Sequence, residues 1–150
     1  MRHAHIHVTG IVQGVGMRPF VYREAAAHGI CGWVLNAGDG VHIEAHACSG
    51  ALYDFVAALR AHAPAAARVE RVDVADLVPG SWDTADEQGF RIVASQDQTA
   101  HTTLVSPDIA TCDDCLHELF DPADRRFHYP FINCTNCGPR FTIIRSLPYD

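Results

Sequence analysis

The chain is 150 residues long, with 11 basic residues, all arginine, against 18 acidic ones, for a net charge of −7 at pH 7. A hydrophobic fraction of 48% beside 19% charged residues suffices to bury a core and excludes disorder throughout. The acidic balance argues against a nucleic-acid-binding surface, and no stretch approaches the roughly 20 apolar residues of a membrane span.

The start, Met1-Arg2-His3-Ala4-His5-Ile6-His7, lacks the apolar core of a signal peptide. A cytoplasmic location is expected. Thiols stay reduced there, so the six cysteines need an explanation other than disulfides. Residues 3–8 alternate strictly, with Ala4, Ile6 and Val8 on one face and His3, His5 and His7 on the other, which predicts a half-buried strand. Residues 10–18 form a glycine-rich loop, and Pro19 and Gly29 bracket a helix. Residues 32–36 and 41–45 read as strands around Ala37-Gly38-Asp39-Gly40, whose Asp-Gly pair predicts an antiparallel hairpin. A second helix over 50–62 places Leu52, Phe55, Val56 and Leu59 on one side, and Pro64 stops it. Residues 69–77 alternate imperfectly as a strand, and 90–93 form a last one. The order β-α-β-β-α-β, with that further strand, predicts an α+β fold. It is the ferredoxin-like plan, an antiparallel sheet with two helices on one face. The polar stretch from Ala94 reads as a linker, which divides the chain into a domain over 1–93, a linker over 94–106 and a second region over 107–150.

The segment Gln13-Gly14-Val15-Gly16-Met17-Arg18 lies between a strand and a helix N-terminus. Two glycines permit a tight turn with consecutive exposed N–H groups, and the helix end adds donors, so the loop can cradle an anion. Arg18 supplies a fork suited to phosphate or carboxylate. The loop is neither a Walker A sequence nor a dinucleotide fingerprint, because Pro19 stands where a third glycine belongs. The same residues also suit a plain turn with a solvated arginine, and Asn36 suits a plain turn asparagine. Together, however, Val12-Gln13-Gly14-Val15-Gly16-Met17-Arg18 and Gly32-Trp33-Val34-Leu35-Asn36-Ala37-Gly38-Asp39-Gly40 resemble the two signatures of the acylphosphatase family. Met17 departs from the phenylalanine that many members carry. The resemblance spans residues 1–93 and implies an acylphosphatase-type sandwich in which residues Gln13, Gly14, Val15, Gly16, Met17 and Arg18 hold a phosphoryl group. It further implies that Arg18 and Asn36 are catalytic, Arg18 gripping the phosphoryl oxygens and Asn36 orienting the attacking water.

Four cysteines form two matched pairs, Cys112-Asp113-Asp114-Cys115 and Cys134-Thr135-Asn136-Cys137, separated by residues 116–133. This spacing is a strong zinc signal, with each pair forming a short knuckle. Four thiolates leave no open position, so the Zn²⁺ would be structural, and His117 and His128 between the pairs are not required as ligands. The stretch from Asp121 to Cys134, running on through Cys137-Gly138-Pro139-Arg140-Phe141, closely resembles the zinc-binding segment of the HypF family of hydrogenase maturation carbamoyltransferases. That family joins an acylphosphatase-like domain to such a segment and continues into further zinc knuckles, a YrdC-like nucleotide-binding domain and a C-terminal transferase domain. The resemblance implies that this chain is the front of a longer protein and that its zinc region is incomplete, the two pairs either sharing one zinc or being completed by later knuckles. It implies hydrolysis of carbamoyl phosphate, or another acyl phosphate, as the first step of carbamoyl transfer to a HypE-type acceptor. That transfer leads to the cyanide ligand of the nickel–iron hydrogenase centre.

A second reading is a non-catalytic phosphate-binding and zinc-dependent protein-interaction module. His3, His5 and His7 have metal-ligand spacing, but a sheet with helices on one side leaves its other face wet, and solvated histidines are expected there. Cys31 and Cys48 have no motif partner and read as small core or surface residues.

Overall fold

The computed structural model describes residues 1–78, 89–96, 104 and 111–129. In chain order the elements are β1 (Arg2–Ile11), α1 (Met17–Ala27), β2 (Cys31–Ala37), β3 (Gly40–Ala47), α2 (Ser49–Ala61), β4 (Arg68–Asp76), β5 (Phe90–Ile92) and α3 (Asp113–Phe120). The first five strands form one sheet in the order β4-β1-β3-β2-β5. β1 pairs antiparallel with β3 and β4, and β2 pairs antiparallel with β3. β5 departs from the antiparallel expectation: it runs parallel to β2, Gly32 to Val34 lying beside Phe90 to Ile92. A chain that returns to the far edge by a long crossover, rather than a hairpin, is the one that can pair in parallel. The ferredoxin-like α+β architecture therefore stands, with a mixed sheet.

Alternation in β1 sends Ala4, Ile6 and Val8 into the core, each fully buried. In register beside them lie Ala45, Ile43 and Val41 of β3. Helix α2 closes this layer with Leu52, Phe55 and Leu59, and Val56 packs at its margin. Helix α1 adds Phe20, Val21 and Ala25. Pro19 falls in its first turn, where a missing N–H breaks no helical bond. At its other end Ile30 N donates to Ala25 O at 2.9 Å and Gly29 N to Ala26 O at 3.3 Å. This paired closure satisfies two terminal carbonyls of the helix. The imperfect alternation of β4 has a local cause. Thr9 faces Arg71 but Gly10 faces Val69, so the register slips by one residue at a bulge.

The face of the sheet away from the helices is not the wet surface expected for it. His3 is 8% exposed, and its Nε2 donates to Glu44 Oε1 at 2.8 Å. His5 Nε2 lies 3.0 Å from His42 Nδ1, and His7 Nε2 donates to the Asp39 carbonyl at 3.2 Å. The reason is register: His46, Glu44 and His42 of β3 stand opposite His3, His5 and His7. The polar side chains of the two strands thus cover and bond one another. Burial, then the nearby His42 and His7, hold the His5 imidazole below its ordinary value.

Helix α3 begins at Cys112, whose extended backbone caps it, and Cys115 is buried in its first turn. The first cysteine pair is therefore a helix start. Asp121 and Asp124 each accept a backbone N–H two residues on, from Ala123 and Arg126, and turn the chain after the helix. Arg126 also reaches back to Glu118 at 2.7 Å. Among the described residues no helix is long and apolar enough to cross a membrane.

Candidate active site

The loop between β1 and α1 is fastened from below by its own apolar side chains. Val12 and Val15 are fully buried and Met17 is 2% exposed. With those side chains in the core, the loop presents mainly main chain, and Gly14 and Gly16 take φ of 69° and 78°. Gly16 caps α1 with no side-chain cap bond, so the first-turn N–H groups of the helix are not taken up by a capping side chain. Met17 sits in the core, as an apolar replacement at that position should.

Gln13 is nearly buried, and its role differs from that of a ligand-facing side chain. Its Nε2 donates to Ala37 O at 2.6 Å and to Gly40 O at 3.1 Å. The side chain thus ties the loop to the β2–β3 hairpin, and any contact of Gln13 with an anion falls to its backbone.

Asn36 is the penultimate residue of β2 and is 2% exposed. By alternation it shares a face with Val34, the helix-covered face on which α1 begins. Arg18, in the first turn of α1, places Nη1 3.5 Å from Ser95 Oγ. The next residue, Gln96, donates its N–H to the Asn36 carbonyl at 3.0 Å and bridges to Ala37 in parallel. Two consecutive residues therefore touch the two candidate catalytic residues. Both lie in the stretch expected to be a linker. The described structure instead continues β5 along β2 through Val93, whose N–H donates to Val34 O. Their polar composition gave no sign of this.

Arg18 is the one charged residue among positions 10–20, and it is positive. With the helix N-terminus and the main chain of the loop, it makes a local environment suited to an anion in an otherwise acidic chain. No histidine or cysteine lies in the loop to act as a nucleophile.

At the second candidate site, Cys112 and Cys115 form no disulfide among the described residues. Three positions apart across a helix start, they stand on one side of the first turn. Two sulfur donors at this spacing are ligands that zinc accepts, so the donor chemistry fits zinc. Cys134 and Cys137 lie outside the described residues. His128, between the pairs, stacks on Phe127 with ring centroids 3.9 Å apart.

Comparison with known proteins matches this arrangement in two pieces. An acylphosphatase family model matches residues 4–92, and a model described as the HypF finger matches residues 111–144. The carbamoyltransferase HypF of Rhodobacter capsulatus is 51% identical over the whole chain, which spans 19% of that relative. An acylphosphatase of Salinibacter ruber is 43% identical over 57% of the chain and 85% of its own length. A crystal structure of full-length HypF in a phosphate- and nucleotide-bound form superposes with a TM-score of 0.86 at 39% identity. That match covers 99% of this chain and 19% of the other. The chain thus spans about a fifth of the length of the HypF relatives it matches. It belongs to the acylphosphatase family, and behind that domain it carries the finger that the HypF carbamoyltransferases share.

Proposed function

We propose that the chain hydrolyses an acyl phosphate, with carbamoyl phosphate as its substrate. The phosphoryl group lies against main-chain N–H groups from Gln13 to Arg18, and the Arg18 guanidinium grips its oxygens. Asn36 orients a water through its side-chain amide. The water oxygen forms the new bond to phosphorus while the bond from phosphorus to the carbamate oxygen breaks. The electron pair leaves on carbamate, and the water proton passes to phosphate or solvent. Positioning and charge stabilisation carry such a transfer, and a carbamate leaves readily without a separate general acid. The observation that supports this reading most is the pair Ser95 and Gln96, which hold Arg18 and the Asn36 main chain from adjacent positions.

Cys112, Cys115, Cys134 and Cys137 would hold one Zn²⁺, which when bound ties the two pairs together and offers no open position for chemistry. Within a longer HypF-type carbamoyltransferase in the reducing cytoplasm, the carbamate would pass to domains that activate it with ATP. Those domains would transfer the carbamoyl group to a HypE-type acceptor for the cyanide ligand of the nickel–iron centre.

Phosphate release from carbamoyl phosphate and acetyl phosphate tests the proposal. Arg18→Ala and Asn36→Ala should each lower the rate by about 100-fold or more, the loss seen when a preorganised transition-state donor is removed. Hydrolysis unchanged in Arg18→Ala would overturn the mechanism. Saturable phosphate binding without turnover would make the chain a binding and interaction module instead.

A further inference from the structure

The face of the sheet away from the helices holds a group of side chains that the proposed reaction does not use. His7 of β1 and His42 of β3 stand directly opposite in the register, and their rings stack at 4.3 Å with 16° between planes. Asp39, in the hairpin turn, reaches both. Its Oδ1 is 2.7 Å from His42 Nε2 and its Oδ2 is 3.6 Å from His7 Nε2. One donor atom from each residue lies within 4.8 Å of the other two. Ligand atoms about 2.0–2.1 Å from a tetrahedral ion are roughly 3.3 Å from each other, so the three side chains would adjust their spacing around an entering ion. The side chains of His7, Asp39 and His42 are 22%, 24% and 17% exposed, shielded but open to an entering ion.

We propose that His7, Asp39 and His42 form a binding site for a divalent transition-metal ion of the zinc type, on the sheet face opposite the helices. Two imidazoles and one carboxylate suit such an ion, in contrast to the all-oxygen sets preferred by magnesium and calcium. Three protein ligands leave a fourth position for water, so the site is open. His5 completes it as a positioning residue. When His42 ligates through Nε2, its Nδ1–H is set to donate to His5 Nε2, the partner 3.0 Å away, and this fixes the ring and its tautomer. Gly40 keeps the space. A Cβ there would collide with the Val8 carbonyl and come within 3.0 Å of His7 Nε2. The site does not depend on the hydrolytic reading and is tested without it.

Cobalt(II) distinguishes this site from the cysteines, because thiolate coordination adds an intense charge-transfer band and nitrogen–oxygen coordination does not. The whole 150-residue chain, stripped of metal and free of any histidine tag, is titrated with Co²⁺ and, separately, with Zn²⁺. The expected result is one equivalent beyond any that develops charge transfer. Its affinity should fall at least tenfold in His42→Phe and Asp39→Asn, and by about 10–100-fold in His5→Gln, the usual cost of losing an outer partner. In the unmodified protein, Co²⁺ should broaden the imidazole resonances of His7 and His42 before those of His28 and His62, which decides the matter even where a variant fails to fold. The proposal fails if no further equivalent binds at millimolar metal. It also fails if binding survives intact in His42→Phe and Asp39→Asn, or if the first imidazoles to broaden belong to other histidines.

Discussion

Gln13 carries a structural duty out of proportion to one side chain. Both of its described bonds run to carbonyls of the hairpin, 24 and 27 positions along the chain. Gln13→Leu would leave Ala37 O and Gly40 O buried without that donor, which costs about 1–3 kcal/mol. Urea denaturation should show this as a lower midpoint with an unchanged slope. Gln13→Glu should be worse at neutral pH, because a carboxylate would face two carbonyl oxygens. Arg18 and Asn36 stand out as candidates in the sequence because each belongs to a contiguous motif. The partners of Gln13 were not, since nothing local encodes a contact so far along the chain. The histidines teach the same lesson in reverse. Alternation correctly placed His3, His5 and His7 on the face away from the helices. Only the pairing of β1 with β3 revealed that His42, Glu44 and His46 would meet them there.

Among the elements, those with a strong period were readable and those shaped by their neighbours were not. Helix α2 followed its apolar spacing, and β1 followed its alternation. β4 is an edge strand with one buried apolar side chain, Val72, so burial imposed little pattern on it and the bulge blurred the rest. Its far end is fastened to β1 by the exposed pair of Arg2 with Asp76, which holds the Asp76 carboxyl below its ordinary value. Helix α2 also carries an unused opportunity. Cys48 sits at its N-cap with φ −67° and ψ 152° but makes no side-chain cap bond. Serine or aspartate adopts that geometry and bonds the exposed amides, so Cys48→Ser or Cys48→Asp should stabilise the protein by about 0.5–1 kcal/mol. Thermal unfolding of each variant beside the parent chain measures the gain. The converse holds at α3, where Cys112 occupies the cap position. Cys112→Ser should preserve the helix start while removing a sulfur donor, so zinc content should fall with little change in helicity.

For the molecule as a whole, the sequence conveyed the two-part plan, the α+β class and the order of elements. The position of β5 was beyond it, since a three-residue strand has no period to read and its partner is chosen by a crossover. The placement has a practical effect on where the first domain can be cut. A chain ending at residue 93 retains β5 but lacks both Ser95 and Gln96, whereas one ending at residue 100 includes them. The shorter form should remain folded, because among the described residues the buried core precedes the cut except for Cys115 of α3. It should nevertheless hydrolyse acyl phosphates more slowly, by about tenfold or more if Arg18 and Asn36 lose their alignment. Equal rates for the two lengths would show that the tie is dispensable.

Ser95 and Gln96 also lie on the chain segment that leads toward the cysteine region. A pull transmitted along that segment would arrive first at Ser95 Oγ and Gln96 N, the atoms against Arg18 and Asn36. Mechanical load on that segment would thereby reach the two residues proposed to act in turnover. The attachment point of the chain thus doubles as a lever on its chemistry.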